Sequence, residues 1–69
     1  MIKVNEFSYP YKEGMTLIDI LKEANTDIHG PVLITLNGTF VAKTFYDTTV
    51  LKDGDEILAM RVVSGGLLS

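Results

Sequence analysis

Chemistry needs a nucleophile, a titratable pair, a metal-ligand set or an activatable terminus, and this sequence offers few of them. His29 is the only histidine; it stands beside Gly30-Pro31 with no nucleophile or ligand as neighbour and reads as a loop residue. There is no cysteine, which excludes disulfides, zinc-thiolate sites, dithiol redox chemistry and a cysteine nucleophile. Asp53, Asp55 and Glu56 gather acidic groups without the ligand spacing of a calcium loop, so a solvated turn is expected and no metal or bound cofactor. Phe7, Tyr9, Tyr11, Phe40, Phe45 and Tyr46 come without the interleaved cations of a base-stacking surface, and packing in or beside the core is the expectation. What remains is Gly65-Gly66, inside "VVSGGLLS" at 62–69. Two residues without side chains let a chain thread a narrow channel and lie against another protein's backbone.

The elements that must present those glycines belong to a small domain. The sequence has 69 residues, 46% hydrophobic and 22% charged, which fits one folded globular unit of marginal core size. No apolar run approaches the ~20 residues of a membrane span. Net charge is −3, with Lys3, Lys12, Lys22, Lys43, Lys52 and Arg61 scattered, so phosphate backbones find no general attraction and nucleic acid is not an expected partner. The opening "MIKVNE" lacks a basic segment followed by an apolar signal region, and a cytoplasmic location is expected.

Ile2 and Val4, then Phe7, Tyr9 and Tyr11, recur at period two around Asn5-Glu6 and predict a hairpin whose second strand, with Pro10 in it, sits at a sheet edge or turns Pro10 outward. Thr16 and Asp19 form a capping-box pattern ahead of Leu17, Ile20, Leu21 and Ala24, which predicts one amphipathic helix of about ten residues stopped near Asn25. "VLITLNGTFVAK" predicts a second hairpin around Asn37-Gly38, with Val32, Ile34 and Leu36 on one face. The stretch "TFYDTTVLKDGDE" predicts a short helical turn or loop anchored by Val50 and Leu51.

The last strand, "EILAMRVV", is apolar on both faces and belongs in the centre of a sheet, parallel to the first strand. The expected fold is α+β, a mixed four- to five-stranded sheet wrapping one main helix in a β-grasp. One helix covers one face of a small sheet, so either Leu58, Met60 and Val62 or Ile57, Ala59 and Val63 must look outward; Leu58 and Met60 are the favoured outward residues and, with Val62, a partner-docking surface.

Taken together, "IKVN" (2–5), "EGMTLIDILKE" (13–23), "LNG" (36–38), "TVLKDGDEI" (49–57) and "VVSGG" (62–66) resemble the ThiS/MoaD family of ubiquitin-like sulfur carriers, most of all its shorter ThiS branch associated with thiamine thiazole synthesis. The resemblance implies a carrier, not an enzyme. Its terminal glycine carboxylate, here Gly66, is adenylated with ATP by a ThiF/MoeB-like enzyme and converted to a thiocarboxylate that donates sulfur to an acceptor such as thiazole synthase. Ser64 and Gly65 would form the flexible tail.

"LLS" departs from the family pattern, which finishes at the second glycine. An amide ties up the Gly66 carbonyl, so the implied organisation is a β-grasp domain over 1–66 with its diglycine tail, and a short extension at 67–69 removed by a processing protease. Alternatives are a molybdopterin-synthase small subunit, which uses the same chemistry, a ubiquitin-like protein conjugated to lysines, and a non-carrier TGS-like interaction module that would tolerate loss of Gly65 and Gly66.

Overall fold

A computed structural model describes residues 1–61 of the chain. The element order is β1 (Ile2–Val4), β2 (Phe7–Tyr9), α1 (Leu17–Glu23), β3 (Val32–Leu36), β4 (Thr39–Val41), a 3-10 turn (Lys43–Phe45) and β5 (Glu56–Arg61). The strands form one sheet in the order β2-β1-β5-β3-β4. β1 runs parallel to β5, and the other neighbouring pairs are antiparallel. This is the β-grasp arrangement, with β2 at an edge and the apolar β5 in the centre, where a strand hydrophobic on both faces can pair on both sides.

Local signals explain the ends of α1. Thr16 is its N-cap, and the capping box is complete: the Thr16 hydroxyl accepts from the Asp19 N–H, and the Asp19 carboxylate accepts from the Thr16 N–H at 2.9 Å. That backbone hydrogen bond holds the Asp19 carboxyl below its ordinary pKa. Because the folded pKa is the lower one, this contribution is fully present above the ordinary carboxylate value and is lost as pH falls through the lowered one. At the other end Asn25 takes a left-handed φ of 57°, Asn25 N–H donates to Lys22 and Thr26 N–H to Leu21. These are the two bonds of a Schellman closure. The helix therefore stops at seven residues rather than the expected ten or so.

Ile2, Val4, Ile34 and Ile57 line the inner face of the sheet and meet Leu17, Ile20 and Leu21 of α1, with Tyr46 and Leu51 completing the buried core. Burial pushes the Tyr46 phenol above its ordinary pKa. The 3-10 turn is the short helical turn expected there, and Leu51 anchors the connection, but Val50 does not: it is 60% exposed. Val50 forms an antiparallel bridge with Thr16, while Leu51 N–H donates to the Met15 carbonyl, and the alternation of an extended segment turns one of the two adjacent side chains outward. The aromatic expectation also divides. Tyr46 is buried and Tyr9 and Tyr11 pack against the core, whereas Phe7, Phe40 and Phe45 are each more than half exposed.

The hairpin around Asn37-Gly38 has φ of 52° and 87° at its two central residues, the positive pair a tight hairpin turn requires. The Asn37 side chain has a second role. Asn37 Nδ2 donates to Asp55 Oδ1 at 3.0 Å, its Oδ1 accepts from the Glu56 N–H at 2.9 Å, and its own N–H donates to the Glu56 carbonyl at 2.7 Å. Asp55 Oδ2 in turn accepts from the Lys52 N–H at 2.7 Å. The "LNG" and "DGDEI" motifs thus lock together and fix the start of β5. Asn37→Ala removes both side-chain bonds and strains the left-handed backbone, and should cost about 2–3 kcal/mol of stability. Asn37→Gly keeps the backbone and should cost about 1–2 kcal/mol through the lost bonds alone. Urea midpoints of the two variants check the ordering, and equal midpoints would contradict the clamp.

Candidate functional site

The site implied by the sequence has two parts, the outer face of β5 and the tail that follows it. Val62, Ser64, Gly65 and Gly66, like the extension at 67–69, lie outside the described residues. The face that leads to them is described in full.

Register decides which side chains share that face. β1 and β5 pair Lys3 with Glu56 and Val4 with Ile57, while β3 and β5 pair Leu33 with Met60, Ile34 with Ala59 and Thr35 with Leu58. Ile57 is buried and Ala59 half-buried toward α1, so Glu56, Leu58 and Met60 point the other way. Leu58 is 46% exposed, Met60 43% and Leu33 37%. On β4, Phe40 pairs with Thr35 and adds an aromatic ring at 58% exposure to the same side. These four form an apolar outer surface across β5, β3 and β4. At the far end of β5 the face becomes polar: Lys3, Asn5, Asn37 and Glu56 border a depression of about 280 Å³, at the small end of ligand-sized pockets.

The chemically suggestive residues of the loops are committed to structure. His29 is exposed, and its backbone N–H donates to Asp27 Oδ1 at 3.0 Å. In the Asp53-Gly54-Asp55 turn, Asp53 pairs with the N-terminal ammonium, Gly54 N–H donates to the Met1 carbonyl, and Asp55 holds Lys52 and Asn37. The acidic turn is thus more than solvated; it ties the chain's first residue and the second hairpin to β5. Among the described residues no group of three or more His, Cys, Asp or Glu is placed to hold a metal ion, and no helix is long and apolar enough to cross a membrane.

Two residues read from the sequence only as turn and loop formers stand beside β5. Asn5 has a φ of 56° and, besides turning the first hairpin, donates its N–H to the Ile57 carbonyl and accepts the Ala59 N–H on Oδ1, both at 2.8 Å. Its side chain continues the parallel ladder after β1 has turned away. Pro31 stands immediately before β3, one residue beyond the pair that Val32 makes with Arg61. The Asn5 signal was present as the last letter of "IKVN", and only the fold shows what it bonds.

The fold is similar to the crystal structure of the thiamine biosynthesis protein ThiS from Geobacter metallireducens, with a TM-score of 0.76 and 24% identity over 94% of this chain and 97% of that one. No curated protein matches the sequence. Residues 2–66 match the ThiS family, a span that takes in the whole sheet, the helix and both glycines, and the chain belongs to that family.

Proposed function

We propose that the chain carries sulfur as a thiocarboxylate on Gly66. Membership in the ThiS family supports a sulfur-carrier role beside adenylating and sulfur-accepting enzymes, and the observation that carries the finer reading is that the family match runs to Gly66 and stops there. The steps follow from elementary carbonyl chemistry. A peptidase adds water across the Gly66–Leu67 amide and leaves the glycine carboxylate. A carboxylate oxygen then attacks the α-phosphorus of ATP on a ThiF/MoeB-like enzyme, releasing pyrophosphate and forming an acyl adenylate. A sulfide-equivalent nucleophile adds to that carbonyl, AMP leaves, and –COSH remains.

The carrier itself contributes shape. Residues 1–66 act as the functional unit, with Ser64 and Gly65 as the slim approach to the reacting carbon and residues 67–69 as a removable extension. Leu58 and Met60, joined by Leu33 on the neighbouring strand, supply an apolar docking surface at the root of the tail, with Val62 continuing it. Thiazole synthesis for thiamine is the proposed destination of the sulfur.

Incubating the chain ending at Gly66 with ATP, the activating enzyme and a sulfur donor tests this reading. Its intact mass should rise by one oxygen-to-sulfur exchange, and a mass that never changes overturns it.

A further inference from the structure

Of the asparagines in the chain, only Asn37 precedes a glycine; Glu6 follows Asn5 and Thr26 follows Asn25. All of them take a left-handed φ, so the residue that follows, not the backbone region, sets Asn37 apart. Glycine leaves its amide nitrogen unshielded by a side chain, and an asparagine before it is open to attack on its own carboxamide. The fold adds no shield at Gly38, because a Cβ there would meet nothing within 4 Å, and Asn37 itself is exposed to water. What holds the side chain back is its clamp. Nδ2 donates to Asp55 Oδ1 at 3.0 Å and Oδ1 accepts from the Glu56 N–H at 2.9 Å, so both ends of the carboxamide are engaged by the segment that opens β5. Ring closure requires the carboxamide to leave these partners and swing its carbon onto the Gly38 nitrogen.

We propose that Asn37 is a deamidation site held closed by Asp55 and Glu56, and that its conversion irreversibly unfastens the start of β5. In the reaction the Gly38 amide nitrogen attacks Asn37 Cγ, the Cγ–Nδ2 bond breaks, and the proton given up by the Gly38 amide leaves with Nδ2 as ammonia. Water then opens the five-membered succinimide at one of its two carbonyls, giving aspartate or isoaspartate at position 37. Water is the only co-reactant. Aspartate sets a carboxylate against Asp55 where the amide had offered a donor, and like charges that close repel. Isoaspartate inserts a methylene carbon into the backbone of a two-residue turn and disturbs the pairing of Leu36 with Thr39. Neither product can re-form the bond to Asp55, and the strand it loosens carries Leu58 and Met60. Because only the released side chain reacts, the fraction of time the clamp is open sets the rate.

The test incubates the full chain in warm neutral buffer and follows the gain of one mass unit that exchanging –NH2 for –OH brings, with peptide mapping to place it. The folded chain should deamidate about 10- to 100-fold slower than a peptide of residues 34–40, which has the same Asn-Gly and no clamp. Asp55→Ala removes the acceptor of Nδ2 and should speed the reaction about 5- to 10-fold. Thr16→Ala, which lowers stability through the helix cap and leaves the clamp intact, should change the rate less than about 2-fold. The Asn37→Asp chain, the aspartate product made directly, should unfold at a lower urea concentration than the parent. A folded chain that reacts as fast as the peptide overturns the inference, and this comparison requires no variant to fold. Mapping of the new mass to Asn5 or Asn25 overturns it too, as does an Asp55→Ala chain as slow as the parent, a Thr16→Ala chain as fast as Asp55→Ala, or an Asn37→Asp midpoint equal to the parent's.

Discussion

A chain that continues through Leu67 should give no ATP–pyrophosphate exchange with the activating enzyme, under conditions where the chain ending at Gly66 exchanges readily. The reason is electronic before it is steric. A carboxylate oxygen attacks phosphorus with a full negative charge, whereas the oxygen of the neutral Gly66–Leu67 amide has only the partial negative charge that delocalisation of the nitrogen lone pair gives it and is a much weaker nucleophile. A carboxylate placed at Ser69 should not substitute for the missing one, since Leu67 and Leu68 would have to pass where the carrier reading expects glycines. Exchange by the longer chain at a rate comparable to the shorter one would show that the diglycine is not the activated group.

Leu58→Glu should weaken binding to the activating enzyme roughly 30- to 100-fold while leaving the fold intact. Leu58 is on the central strand but turned away from α1, so the substitution leaves no cavity in the core. In a complex the same position sits between Thr35 and the Met60–Leu33 pair, and a carboxylate buried there without a partner meets a desolvation cost that leucine does not. Calorimetric titration of the chain ending at Gly66 measures the affinity, and a thermal scan verifies folding. Unchanged affinity in a folded variant would move the docking surface elsewhere. Phe45 and Val50, exposed on the connection before β5, are then the next apolar residues to change.

The parts of the fold legible in the sequence are those whose signals are local. Thr16 and Asp19 announce a helix start because the capping bonds span only a few residues, and Asn37-Gly38 announces a hairpin because the turn itself demands positive φ. The central position of β5 was readable from its apolarity on both faces, the pattern of an interior strand, and its outward apolar half from the single helix that can cover only one face. The Schellman closure was half legible: Asn25 was visible as a stop, but the two bonds that shorten α1 to seven residues depend on the backbone geometry it adopts. Val50 and the three exposed phenylalanines were not legible, because apolarity says which side chains gain from burial and register says which are turned inward.

The tail's surroundings were the least legible. Asn5 meets Ala59 across 54 positions of sequence, a bond that leaves no trace in local spacing. Asn5 also has a sufficient local explanation, the turn, that conceals the second role.

The most direct test of the central claim is top-down mass spectrometry of the protein recovered from its native host. A chain that carries sulfur on Gly66 should be found ending at that residue, with a fraction bearing one sulfur in place of oxygen and fragmentation placing the exchange on the final glycine. A population that keeps Leu67 attached, with no sulfur at Gly66 under conditions where the sulfur-accepting pathway is active, would contradict it.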